Sequence, residues 1–329
     1  MIIKIKTHRP TLPFVSVATI SVHFQIFKPP ECQTRTGPQD LVKKEAMWRS
    51  FVLRMSSKQT NLPPTRHSMT TKNPITLIGI DCATQPQKTG LALGQYKEGE
   101  LTVSQAYTGK KGMELAKHVS KWIPDNAPVL IALDAPLGWP VPLTTVLQHH
   151  QAGLALGERH SKGDELFQRT TDRVIWQYTK KRPLDVGADR IARTAHSALA
   201  FLDGLREVTQ LTIPLAWIPG TLSETSAIEV YPAATLISRG HSASGYKAKD
   251  ATQRRQELIQ ALSTEILIPE ELHAALVEVD HPLDAVICLL AAADFLDGEV
   301  IAPTEEQLER ALYEGWIWAR RNPTIHTKS

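Results

Sequence analysis

The stretch ITLIGIDCATQPQKTGLALG, residues 75–94, decides how the rest of the chain is read. Ile75–Ile80 is short, almost wholly apolar and rich in β-branched side chains, as expected of a central strand covered on both faces. It ends in one acid, Asp81. A polar turn follows, then a second apolar run over 90–96. A carboxylate delivered to the end of a buried strand is costly unless something neutralises it. That question organises the reading of the remaining acids.

Working outward, 101–107 reads as a third strand. It is joined to the second by the turn signal Lys97-Glu98-Gly99-Glu100. The spacing predicts a helix over 112–122, with Leu115 and Val119 on one face, stopped by Pro124 and Pro128. Val129–Leu133 is a fourth strand and again ends in an acid, Asp134. The middle is helical, over 164–181 and 187–205, with Arg182-Pro183 between. Ala227–Tyr231 reads as a fifth strand, with Pro232 opening a helix at its first position. A helix is expected over 249–262. Asp280-His-Pro-Leu-Asp284 then starts an apolar helix, 285–296, that must be buried. A short helix and a segment with Trp316 and Trp318 close the chain. Three hairpin-joined strands followed by α/β crossovers imply a mixed α/β sheet with helices on both faces and helical insertions.

The chain has 329 residues, 42% of them hydrophobic, enough for a substantial core. Residues 1–68 stand apart. They hold 11 basic and 3 acidic residues, a net +8, with proline pairs and no sustained period. The remainder holds 26 basic and 31 acidic residues, a net −5. Residues 1–68 read as an extension outside the domain, with Met69 as the natural start, 69–322 as one domain and 323–329 as a flexible tail. Cys32, Cys82 and Cys288 lie far apart without metal-binding spacing, which suits a reducing cytosol. No apolar run is long enough for a bilayer, so no membrane partner is expected. The acidic balance disfavours a long nucleic-acid footprint but leaves room for a local one. Oligomeric state is open.

Asp81 and Asp134 end strands, Glu229 lies within one, and Asp284 lies in the first turn of the apolar helix. In open α/β sheets the strand ends gather at one edge, where ligands bind. Converging carboxylates take up protons unless a cation neutralises them, and hard oxygen ligands suit Mg²⁺ or Mn²⁺. Each acid also has an ordinary reading. Asp81 could accept turn amides, Asp134 could cap its loop, Asp284 could favour a helix N-terminus, and Glu229 could face solvent.

The ordered set GIDCA…TGLALG (79–94), IALDAPLGWP (131–140), RTTDRVIW (169–176), KRPLDVGADRI (181–191), IEVYPAATL (228–236), YKAKD (246–250), DHPLDAVICLLAA (280–292) and EGWIW (314–318) resembles the domain-of-unknown-function family number 429. The resemblance spans about 75–320. It implies a ribonuclease-H-like fold and a divalent-metal-dependent nuclease. Asp81, Asp134, Asp284 and Glu229 would be catalytic, the first three as metal ligands. The ribonuclease-H-like core often carries its second acid on an early helix. Here Glu114 sits there among lysines, so either Glu229 substitutes or the site holds three acids.

Arg169, Asp172 and Arg173 fall within one helical turn. They read either as a phosphate contact, Arg169 and Arg173 meeting substrate, or as a surface salt-bridge cluster. Lys247, in a Gly/Ser-rich loop, is a third candidate for substrate binding. His149, His150 and His160 do not form a trusted ligand set. Cys82 and Cys288 read as core residues and the two tryptophans as packing anchors. An actin-like phosphoryl-transfer enzyme is the alternative class, but Asp134 is followed by Ala-Pro-Leu-Gly rather than a glycine-rich phosphate loop. A non-catalytic binding protein of the same fold is the other.

Overall fold

A computed structural model of the chain describes residues 73–148, 150–154, 163–187 and 189–322. The extension over 1–68, the start at Met69, the tail over 323–329, His149 and His160 lie outside the described residues.

Five strands, β1 (Ile75–Asp81), β2 (Gly90–Lys97), β3 (Glu100–Thr108), β4 (Val129–Asp134) and β5 (Ser226–Glu229), form one open mixed sheet in the order β3-β2-β1-β4-β5. β1, β2 and β3 are a meander of antiparallel neighbours, while β4 and β5 run parallel to β1. The β2–β3 hairpin closes through Glu98 and Gly99, both at positive φ (53° and 90°). Paired positive φ values match the right-handed twist of the flanking strands. The helices are α1 (Leu115–Val119), α2 (Val141–Leu147), α3 (Asp164–Phe167), α4 (Thr170–Thr179), α5 (Asp189–Thr209), α6 (Pro232–Ser238), α7 (Thr252–Leu262), α8 (Glu270–Glu278), α9 (Asp280–Leu296) and α10 (Glu305–Glu314). Among the described residues no helix is long and apolar enough to cross a membrane.

Alternation along the strands divides the core in two. Leu77, Ala92, Val103, Leu130, Ala132 and Ile228 pack on one face with α9 and parts of α7 and α10. Ile78, Ile80, Leu91, Ile131, Leu133 and Ala227 pack on the other with Val119 of α1 and Ala198, Leu202 and Leu205 of α5. α9 is buried along nearly its whole length, as its unbroken apolar run demands.

The structure departs from the expected elements in several places. The helix expected over 164–181 is interrupted at Gln168-Arg169, because the Arg169 backbone N–H is taken by Asp172 Oδ2 (2.9 Å) and the Thr170 N–H by Glu314 Oε2 (2.6 Å). α9 begins at Asp280 with Val279 as its cap, so Asp284 is its fifth residue and not a first-turn capping acid. α2 and α8 were not anticipated; both are short, and helices of that length depend on packing more than on propensity.

α9 lies close on β1 because glycine lets it. A Cβ built on Gly79 would sit 2.0 Å from the Ala285 carbonyl oxygen, and one on Gly90 1.9 Å from that of His281. Both obstacles are backbone of a buried helix, which cannot rotate aside. Gly79→Ala is expected to destabilise the fold by about 3 kcal/mol, at the upper end of the overpacking range. A lowered urea midpoint with unchanged slope would register it; an unchanged midpoint would show that α9 is not held where described.

Candidate metal centre

β1 and β4 run parallel in a register that pairs Asp81 directly with Asp134. Alternation puts both side chains on the α9 face, beyond Leu77 and Gly79 on β1 and beyond Leu130 and Ala132 on β4. Gly90, opposite Asp81 on β2, admits the first turn of α9. One turn further along, Asp284 points back at the strand ends. One carboxylate oxygen from each of Asp81, Asp134 and Asp284 lies within 4.8 Å of the other two. The chain thus builds a buried carboxylate cluster compatible with metal binding.

The partners of the three acids differ. Asp81 Oδ2 is 2.7 Å from Nδ1 of His281. Asp284 is 1% exposed. It accepts a hydrogen bond from the Tyr246 hydroxyl at Oδ1 (2.6 Å) and meets the Lys247 ammonium at Oδ2 (2.6 Å). Among the described residues, Asp134 has no hydrogen bond or ion pair at contact distance; Lys247 acts on it only through space.

Burial holds the Asp134 carboxyl well above the usual range, Lys247 opposes this, and Asp81, Asp284 and Glu229 add to it by repulsion. Asp81 is raised by burial against the pull of His281. Asp284 is pushed up to about 6, again by burial, with Lys247 opposing and Asp81 adding. The hydrogen bond to Asp81 raises the His281 imidazole. Burial alone would depress the Lys247 ammonium, but Asp284 and Asp134 outweigh it and leave it raised. Acids forced toward protonation by burial and mutual repulsion are what a bound cation relieves.

Lys247 is held by design of the surrounding chain rather than lying in a loose loop. Arg255, 1% exposed, donates to the carbonyls of Tyr246 (2.7 Å) and Ala248 (2.9 Å) on one side. On the other it donates to those of Val277 (2.7 Å) and Glu278 (3.1 Å) at the C-terminal end of α8. A guanidinium suits the unpaired carbonyls of a helix end.

Glu229 is not brought to the three acids. It pairs in register with Leu133, and both belong to the face opposite Ile228 and Ala132. One step along a strand reverses the side chain. On that other face Glu229 meets Arg169 through two bonds, Nη1–Oε2 at 2.8 Å and Nη2–Oε1 at 2.6 Å. Asp172 takes the guanidinium from its other edge, at 3.1 and 2.8 Å. The Glu314 carbonyl accepts the fifth N–H at 3.1 Å. Arg169 is 1% exposed, so the expectation of a surface cluster or a phosphate contact gives way to a buried, fully bonded cation with no donor left for substrate. Arg173 is half-buried, and among the described residues its side chain bonds only to the Gln168 carbonyl and the Thr170 hydroxyl.

Sequence reasoning missed His281, Arg255 and Glu314. His281 had a usable signal: it lies three residues before Asp284 in the same helix, hence on the same face. Arg255 and Glu314 had none, because their partners are backbone groups of other segments, which no side-chain pattern marks.

No curated protein and no solved structure matches this chain. The family model described as "Protein of unknown function (DUF429)" matches residues 79–308, which include all three acids of the cluster, and the chain belongs to that family.

Proposed function

We propose that this protein is a divalent-metal-dependent phosphodiesterase, a nuclease, on a ribonuclease-H-like sheet. The observation that carries the reading is the convergence of Asp81, Asp134 and Asp284, with Asp134 left without a contact partner among the described residues. The strand order, an antiparallel meander followed by two parallel strands, supports the fold assignment.

Asp81, Asp134 and Asp284 would hold Mg²⁺ or Mn²⁺. The bound ion supplies charge neutralisation at the phosphate and a water that is nucleophilic near neutral pH. No serine, cysteine or histidine nucleophile is then required. His281 fixes the rotamer of Asp81 through Nδ1. Its Nε2 has no partner among the described residues, so the protonated ring can hand a proton to the leaving oxygen. Lys247, half-exposed and held charged beside Asp284, would meet a phosphate oxygen; Arg173 is the second candidate for that work. Glu229 is proposed as a positioning residue through Arg169 and the Leu137 N–H, which it accepts at 3.0 Å.

The test is cleavage of single-stranded DNA, RNA and hybrid substrates with Mg²⁺ or Mn²⁺. Activity is expected to need the metal and to fall to background in Asp81→Asn. Purified protein that neither cleaves any of these nor binds either metal would overturn the reading and favour a non-catalytic member of the fold.

A further inference from the structure

Beyond Asp134 the chain runs through Ala135-Pro136-Leu137-Gly138-Trp139 into α2. Leu137, Gly138, Trp139, Val141, Thr144 and Tyr313 line a cavity of about 440 Å³. That volume is in the range of small-ligand sites. Its two aromatic rings are accessible: Trp139 is half-buried and Tyr313 is 63% exposed. Leu137 is three residues past Asp134, so at most about 11 Å of chain separates the cavity from the carboxylate cluster.

The cavity walls are braced from beneath by buried charges. Glu314, 1% exposed, accepts the Val141 N–H at Oε1 (3.0 Å) and the Thr170 N–H at Oε2 (2.6 Å). Its carbonyl is held by Arg169, and Arg169 in turn holds Glu229, which takes the Leu137 N–H. Gly138 lies against the backbone of Tyr313 and Glu314, where any Cβ would come within 2.5 Å of the Tyr313 carbonyl oxygen. A buried, fully bonded frame fixes the loop that carries one ring to the helix end that carries the other. Such bracing is what a preorganised binding site needs, and a surface crevice does not.

We infer that the Trp139–Tyr313 cavity is a nucleobase subsite, taking the base of a nucleotide next to the phosphodiester that lies at the three acids. This rests on the phosphodiesterase reading and narrows its substrate to nucleic acid with an unstacked base. Aromatic faces receive a base by stacking, which tolerates any of the four. The subsite also answers the charge problem: a chain whose residues 69–329 carry a net −5 gains affinity from a base rather than from a long row of phosphates.

The experiment compares two fluorescent single-stranded oligomers of equal length, one bearing bases and one abasic, with Ca²⁺ replacing Mg²⁺ so that affinity is read without turnover. The intact protein is expected to bind the base-bearing oligomer about 10-fold more tightly, or more. In Tyr313→Ala and Trp139→Leu that preference should shrink toward parity, and in Trp139→Phe it should persist. Equal affinity of the intact protein for both oligomers would overturn the inference, as would a preference that survives in both variants. Absence of binding to either oligomer also overturns it. Failure of the phosphodiesterase reading shows separately, as missing metal-dependent cleavage by the intact protein.

Discussion

Asp134→Asn is expected to give a protein more stable than the parent in the absence of divalent ions and indifferent to their addition. The side chain lies among two other acids, and among the described residues no contact partner offsets its charge. Asparagine keeps the shape and removes the repulsion. The same physics sets the pH dependence of the parent. A carboxyl whose pKa is higher folded than unfolded holds its proton in the native state after the unfolded chain has released it. Its contribution is therefore full below the unfolded value and is lost as pH rises through the folded one. For Asp284, pushed from the ordinary 3.8 to about 6, the loss between pH 4 and pH 7 is of order 3 kcal/mol. Asp81 and Asp134 shift in the same direction. Metal-free parent should therefore melt lower at pH 8 than at pH 5. Mg²⁺ or Mn²⁺ should restore stability at pH 8, by about 3 kcal/mol at a hundredfold excess over its dissociation constant, and far less at pH 5, where protons compete. Melting curves at both pH values, with and without metal, check this. A variant less stable than the parent and still responsive to metal would mean that the three acids are ordinary structural carboxylates.

Arg169→Met should be the most destabilising single change outside the apolar core. Among the described residues the guanidinium is the only cation bonded to Asp172 and Glu229, and it also ties the Glu314 carbonyl. Its removal leaves two buried acids facing each other. Breaking a buried pair by deleting one partner costs about 3–5 kcal/mol, which for a domain of this size is a fall of roughly 10 °C in melting temperature. Arg169→Lys should recover little, since an ammonium cannot serve two carboxylates and a carbonyl in one plane. Glu229→Gln separates the two roles open to that acid. A positioning role through Arg169 predicts loss of stability with metal affinity retained; direct work at the metal predicts the reverse.

The carboxylate cluster was partly legible because strand ends are legible. Ile75–Ile80 and Val129–Leu133 carry an apolar pattern that ends in an acid, and parallel pairing of two such strands brings those acids together. Asp284 was legible as an acid at the start of the apolar helix, and the family resemblance gave it the same role as the strand-end acids. Glu229 shows where linear reading fails. Its alternation with Ile228 and Val230 was visible, but which face of β5 points toward β1's acid depends on register, and register is set by pairing with β4. Arg169 shows the same limit for charge. Within one helical turn of Asp172 it looks like a surface ion pair, and only burial beneath the loop 135–141 and α10 makes it a structural cation.

By itself the sequence determined the elements: a meander, two further strands, and a long helix that had to be buried because it has no polar face. It also determined which acids lie at strand ends, since alternating and continuous apolar runs are local properties. Tertiary structure decided which acids meet. Convergence depends on α9 settling against Gly79 and Gly90, on a parallel register, and on side-chain parity. None of these is a property of neighbouring residues; each is fixed only when distant segments exclude water from one another.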